Sequence, residues 1–352
     1  MWQDTAITRV LGLRVPIIAA PMAGGPSTPA LVAAVSEAGG IGILGCGYDD
    51  PAAMRAAIAE VRRRTSRPFG VNLFVPGPVE VDDTRVASAI AALQPFAAAY
   101  DLEIELVPPF EQNFDAQLEV VIEEHVPLFS FAFGIPSFNT LATLRGSGIR
   151  VCGTATSVDE AIALQQTGGV DFVCLQGAEA GGHRGGFIGR PEDSLVGVKE
   201  LVAATRNAIK LPVIAAGGIM TGRGIATAMV GGASAVQLGT AFLQCYEAGV
   251  SAPYRAALES ADGTDTVLTK AFSGRAARGI RNAMSDALAD VPVPAYPLMN
   301  SMTRELRRRA AVAGDSSVLS LWAGTGVAAG RRMHADDLVV TLEKETDEEF
   351  AG

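Results

Sequence analysis

Residues 15–44 read VPIIAAPMAGGPSTPALVAAVSEAGGIGIL, and the order of their parts decides the fold. A β-rich apolar run, Val15 to Met22, leads into Ser-Thr-Pro, then an amphipathic stretch that closes on Gly39-Gly40, then a second apolar run, Gly40 to Leu44. A hydroxyl residue before the helical pattern and glycines after it are the expected helix caps. Strand, helix and strand in that order make a parallel pair, because parallel neighbours need a crossover connection. The unit recurs along the chain. Further strands read FGVNLFV (Phe69 to Val75), LFSFAF (Leu128 to Phe133), IRVCG (Ile149 to Gly153), DFVCLQ (Asp171 to Gln176), PVIAAG (Pro212 to Gly217) and AVQLGT (Ala235 to Thr240). The helical patterns SVDEAIALQQTGG and TGRGIATAMVGG again open on Ser or Thr and close on glycine.

Eight strand-then-helix units predict an α/β (β/α)8 TIM barrel. The alternative is a doubly wound open sheet, which usually has about five or six strands and carries GxGxxG after the first; here the first strand ends in APMAGG. Two segments fall outside the repeat. Residues 76–110 carry Pro76, Pro78, Pro95, Pro108 and Pro109 and read as an excursion between the third strand and its helix. Residues 246–330, containing KAFSGRAARGIRN, VPVPAYPLMN and SLWAGTG, read as a smaller, mostly helical lid after a barrel of residues 1–245. From Glu343 to Glu349 five acids and one lysine put −4 of the net charge of −10 in residues 331–352, which read as a solvated, poorly ordered acidic tail.

The remaining totals narrow the class. A hydrophobic content of 49% and 39 glycines suit a globular chain without a membrane span, and Asp4 and Arg9 interrupt any secretory signal, so a cytoplasmic location is expected. The negative balance excludes nucleic acid and anionic membrane as partners, since both require a basic surface. Homo-oligomerisation is compatible with these totals. Cys46, Cys152, Cys174 and Cys245 share no CxxC spacing and read as buried free thiols, and no ligand cluster points to a metal.

In this architecture the active site lies at the C-terminal ends of the strands. The seventh ends in Gly217-Gly218 and the eighth in Leu238-Gly239-Thr240, where backbone amides can approach a phosphate, with the helix beginning near Thr221 adding its positive end. Tight βα turns are the plainer reading of those glycines. Asn72, Gln176 and Gln237 put amides on otherwise apolar strands, where a flat heterocycle or neighbouring backbone would satisfy them, and Met22 would wall such a ring. His183 lies in LQGAEAGGHRGGF (Leu175 to Phe187), one of three histidines in the chain, on the expected functional face, among glycines that permit close approach; an ordinary pKa near 6.5 would suit proton transfer. His125 and His334 read as surface residues.

Taken together, APMAGG, VNLF, QGAEAGGHRG, AAGGI and QLGTAFL resemble the nitronate monooxygenases, and AFSGRAARGIRN, YPLMN and SLWAGTG extend the resemblance to class I members. The EAGGHRG stretch is the most specific element, although FMN-dependent enoyl reductases on the same barrel carry a similar one. The resemblance implies bound FMN, with its phosphate at Gly218, Gly239 and Thr240 and its ring contacted by Met22, Asn72, Gln176, Gly181 and Gln237. It implies oxidation of a small alkyl nitronate, such as propionate 3-nitronate, by dioxygen. His183 would bind the nitro oxygens and take the α-proton of a neutral nitroalkane, and Ser273 and Tyr296 of the lid would supply hydroxyls. An FMN-dependent NAD(P)H reductase of enoyl thioesters or quinones is the alternative. Ala132, Met299 and Thr325 depart from the polar residues common in the class, which predicts a pocket less suited to a charged nitronate.

Overall fold

The computed structural model describes residues 1–190 and 192–352. A short helix α1 (Ala6–Leu11) precedes the first strand, β1 (Ile17–Ala19). It starts at a capping box in which the Thr8 amide donates to the Thr5 hydroxyl at 3.2 Å, and it stops at Gly12 in a left-handed conformation. Then follow α2 (Pro29–Glu37), β2 (Ile41–Gly45), α3 (Pro51–Arg64), β3 (Gly70–Phe74), α4 (Asp83–Ala98), α5 (Phe114–Glu123), β4 (Leu128–Ala132), α6 (Phe138–Gly146) and β5 (Arg150–Ala155). After these come α7 (Val158–Gln166), β6 (Phe172–Gln176), β7 (Gly182–His183), α8 (Val198–Thr205), β8 (Val213–Ala216), α9 (Gly222–Gly231), β9 (Ala235–Leu238) and α10 (Thr240–Leu243). The remainder is α11 (Ala252–Ser260), β10 (Thr266–Thr269), β11 (Ala277–Ile280), α12 (Ala283–Ala287), α13 (Leu298–Ala313) and α14 (Ala335–Ala351).

All strands but β7, β10 and β11 close into one parallel barrel, β9 pairing back on β1 through Ile18 and Gln237. This is the (β/α)8 architecture expected from the sequence. The expected hydroxyl caps are present at Thr28, Ser157 and Thr221, each accepting from the amide three residues on. Alternation along the strands then sorts the core. Ile18, Ile41, Ile43, Leu128, Cys152, Phe172, Cys174, Ile214 and Ala235 fill the interior, and Ile7 and Leu11 of α1 plug its N-terminal end. One step further along, the inward positions become Asn72, Ser130, Thr154, Gln176 and Gln237, a polar layer at the C-terminal mouth. All four cysteines are free and buried.

Two expectations change. The acidic C-terminus is ordered: α14 packs against α9 and α2, burying Ala335, Leu338, Val339, Leu342 and Thr346. It is the eighth outer helix of the barrel, so the lid is inserted between the eighth strand and its helix. Asp336, Asp337, Asp347, Glu348 and Glu349 face solvent, while Glu343 and Glu345 are partly covered, Glu343 by Arg14 and Glu345 by the Gly222 amide; this density of charge masks the apolar positions in the sequence. Next, the lid is less helical than expected, because β10, β11 and β7 form a three-stranded antiparallel sheet. The 76–110 segment is an excursion between β3 and its helix α5, as expected; it contains α4, which runs through Pro95, and its Ala89, Leu93 and Ala97 share a buried cluster with Leu306, Ala310 and Met302 of α13. The excursion is packed against the lid.

Candidate active site

The loop after β6 turns back to form β7, whose Gly182 and His183 pair with Arg278 and Ala277 of β11. His183 therefore stands where the lid sheet meets the barrel mouth. Gln176 shapes this loop: its Nε2 donates to the His183 carbonyl at 2.9 Å and its Oε1 accepts from the Gly185 amide at 2.8 Å. The fully buried Arg184 holds the other side, donating to the carbonyls of Gly177 (2.7 Å), Gln176 (3.1 Å) and Ser194 (2.8 Å). Glu160, also fully buried, accepts from the amides of Thr156, Phe187 and Ile188 and from the Thr156 hydroxyl. Removing a buried acceptor of this kind strands several donors at once, each costing about 1–3 kcal/mol.

Two glycines of this loop have structural duties. A Cβ on Gly181 would stand 2.5 Å from the Ala323 carbonyl carbon and the Gly324 nitrogen, so Gly181 admits the lid backbone. Gly182 has open space around it but a φ of +76°, a conformation that favours glycine.

His183 Nε2 lies 2.9 Å from the Ser273 hydroxyl oxygen. That hydroxyl also accepts from the Arg275 amide at 3.3 Å and donates to the Arg275 carbonyl at 3.1 Å. With its one proton committed to the carbonyl, Ser273 accepts from Nε2–H, and the hydrogen-bond network thereby assigns the lone pair of the ring to Nδ1. Around the imidazole stand Phe133, Tyr296 and Trp322, with ring centroids 5.7, 6.1 and 5.3 Å away, and Phe74 at 6.4 Å. No carboxylate contacts the ring among the described residues. Burial lowers its pKa to about 3, and the guanidinium groups of Arg275 and Arg307 reinforce that shift. The ring is neutral at ordinary pH, and the ordinary pKa near 6.5 expected from sequence is corrected. Burial pushes the Tyr296 hydroxyl far above its usual range, so it stays protonated.

The two glycine turns close adjacent strands, since Ala216 of β8 pairs with Gln237 of β9. Gly217 and Gly218 have φ of +133° and +65°. The amides of Gly217, Gly218 and Gly239 donate to no protein acceptor among the described residues, so this corner presents orphan donors suited to an anion. The Thr240 hydroxyl accepts from the Gly324 amide at 2.9 Å, tying the lid to the same corner. At the start of α9 the Gly222 amide donates to the Glu345 carboxylate of α14 at 2.8 Å, so that amide is already occupied. Asn72 donates to the Ser130 hydroxyl at 2.8 Å, and Gln237 has no side-chain partner among the described residues. Half-buried Met22 stands beside Gly239 and packs against the barrel and lid cores alike. Of the three departures from class I, Met299 is wholly buried in the lid core and lines nothing. Ala132 ends β4, and Thr325 stands beside Gly218.

This geometry agrees with what the chain matches. The family model for nitronate monooxygenase covers residues 6–345. The chain belongs to the nitronate monooxygenase family. A probable nitronate monooxygenase of Staphylococcus aureus strain Newman is 42% identical over 329 residues, 92% of either chain. Among solved structures, nitroalkane oxidase from Streptomyces ansochromogenes superposes with a TM-score of 0.93 at 41% identity, covering 99% of both chains. FabK from Thermotoga maritima follows at a TM-score of 0.76 and 32% identity, over 99% of this chain and 97% of that one. The protein is a flavin-dependent oxidoreductase acting on a small molecule, and none of its described helices is long and apolar enough to cross a membrane.

Sequence reasoning singled out His183, Ser273 and Tyr296, and the structure brings them together. It missed Arg275, Phe133 and Glu160. Arg275 stood inside a motif already noticed, AFSGRAARG, but nothing in its spacing reveals what it faces. Glu160 lay on a helix pattern that gives no hint of total burial.

Proposed function

We propose that the chain is an FMN-dependent monooxygenase that oxidises small alkyl nitronates, propionate 3-nitronate or a near relative, with dioxygen. The observation that carries this reading is the set of orphan amides at Gly217, Gly218 and Gly239, at the ends of β8, which neighbours the strand leading to His183, and of β9 beside it. These residues and Thr240 fit a phosphate, and Met22, Asn72 and Gln237 fit the edge and face of a flat heterocycle, with Gln176 and Gly181 acting through the loop. The flavin, when bound, supplies the electron acceptor for the substrate.

The chain's own residues do the rest. Ser273 fixes the imidazole so that Nδ1 is the atom offered to substrate, and the aromatic walls exclude water. Nδ1 can take the α-proton of a neutral nitroalkane. The resulting imidazolium has two guanidinium groups as neighbours and no counter-ion, which opposes that step. A preformed nitronate requires no such transfer. The substrate order is therefore nitronate over nitroalkane, and the positive field answers the concern that the pocket is too apolar for an anion.

Substituting His183→Asn tests the assignment. FMN is retained, turnover of nitroethane is lost, and turnover of ethyl nitronate falls much less; equal loss on both substrates removes the proton-abstraction role.

A further inference from the structure

We propose that Arg275 is the residue that binds the anionic oxygens of the nitronate, leaving His183 to serve the carbon end of the substrate. The proposal builds on the nitronate reading above. Arg275 donates from Nε to the Arg184 carbonyl at 2.8 Å and from one Nη to the Gly186 carbonyl. Its other Nη has no protein partner among the described residues, and it is not one of the sealed, unpartnered polar atoms, which are Gln3 Oε1, Arg184 Nε, Glu192 Oε2 and Thr205 Oγ1. That nitrogen reaches open space. Arg275 also makes no ion pair among the described residues, in a chain where most surface arginines do. The carboxylates of Glu160 and Glu192 act on it from beyond ion-pair distance, so a half-buried guanidinium with one free Nη is only partly compensated until an anion enters. Its planar fork suits a flat, delocalised oxyanion.

Two features aim it at the substrate. Ser273 and Arg275 share one turn, and the Ser273 hydroxyl that contacts His183 Nε2 also binds the Arg275 backbone, so both side chains are mounted on the same few atoms. The guanidinium carbon lies 4.0 Å from the centroid of the Phe133 ring, which is itself 5.7 Å from the imidazole. Phe133 has a φ of +76°. The other described non-glycine residues with positive φ, Asp101 and His125, follow helix ends, whereas Phe133 directly follows β4 and donates its amide to the Gly185 carbonyl at 3.0 Å. Bulky side chains rarely tolerate that conformation, and strain of this kind persists where function needs the placement. Here it sets the aromatic face under Arg275. Arg307, the other cation acting on the imidazole, is instead engaged by Asn300, Thr303 and Ser320.

The test uses nitrate, a planar oxyanion that is not turned over, titrated into the FMN-loaded protein while the His183 ring resonances are followed. With only three histidines in the chain, their signals are separable. Arg275→Gln is expected to weaken nitrate binding and to raise KM for ethyl nitronate by about tenfold or more, the loss of a charged hydrogen bond, with KM for nitroethane changing far less. Arg275→Lys recovers part of the affinity. Phe133→Leu keeps the charge, removes its aromatic support and weakens nitrate binding, which carries the test if Arg275→Gln does not fold. Nitrate affinity and KM within about twofold of the parent in Arg275→Gln overturn the proposal. A loss confined to propionate 3-nitronate, whose carboxylate ethyl nitronate lacks, also overturns it. Failure of the nitronate reading itself looks different: nitrate binds the parent protein, yet neither nitronate is turned over.

Discussion

The Ser273 hydroxyl oxygen lies 2.9 Å from Nε2 of His183, joining the lid to the glycine loop across 90 positions of sequence. Because this hydroxyl has a single proton, already given to the Arg275 carbonyl, the contact sets the tautomer as well as the angle of the ring.

Ser273→Ala should release that choice. Loss of about 1 kcal/mol of orientation corresponds to roughly a fivefold drop in kcat on nitroethane, with a smaller change on ethyl nitronate. Steady-state kinetics on both substrates, together with the 15N shifts of His183, check it: unchanged shifts in the variant contradict the tautomer assignment.

The pH dependence follows from the same ring. His183 ionises at about 3 in the folded protein against 6.5 when unfolded, so between those values the unfolded chain binds more protons. Stability therefore rises with pH through that window and falls as the solution is acidified. The contribution is at most about 3 kcal/mol once the partial exposure of the ring is discounted. A His183 resonance that stays fixed between pH about 5 and 8 is the direct check; one that titrates near neutrality contradicts it.

The glycine corner gives a matched pair of substitutions. Gly12 and Gly218 have nearly the same φ, +67° and +65°, but a methyl group added at Gly12 would meet nothing within 4 Å, whereas one added at Gly218 would stand 3.1 Å from the Glu179 Cβ. Both alanine variants should lose about 1–2 kcal/mol of stability from the backbone alone. Only Gly218→Ala should weaken FMN binding, by about tenfold or more, read by flavin fluorescence on titration. Equal FMN affinity in the two variants would move the phosphate elsewhere.

Deleting residues 335–352 tests the role of the C-terminal helix. Its loss uncovers the apolar faces of α9 and α2 on which Leu338, Val339 and Leu342 pack and strips the Glu345 carboxylate from the Gly222 amide. At roughly 1.5–3 kcal/mol per large side chain, the truncated chain should fail to fold or aggregate. A truncated protein with the parent's melting temperature would restore the picture of a dispensable tail.

The barrel was legible because its signal is local and repeated: apolar runs, hydroxyl caps and glycine stops such as those bracketing α2, α7 and α9 recur with one rhythm. His183 was legible because glycines around an ionisable ring are unusual. The helix α14 was not, since its seven acids, five of them exposed, conceal the apolar positions that face α9 and α2. Nor was the setting of the imidazole. The pKa of His183 depends on Arg275, 92 positions away in the chain, and on Arg307 beyond it, and no spacing in the sequence reports a meeting of that kind. Phe133 reads as one more apolar residue at a strand end, and its backbone conformation exists only in three dimensions.

The most direct measurement is anaerobic mixing of the FMN-loaded protein with ethyl nitronate in one experiment and with NADH in another, following flavin absorbance. The account predicts rapid loss of the oxidised flavin spectrum with ethyl nitronate and none with NADH. Bleaching by NADH while the nitronate leaves the spectrum unchanged would contradict it and place the protein with the reductases that share its barrel.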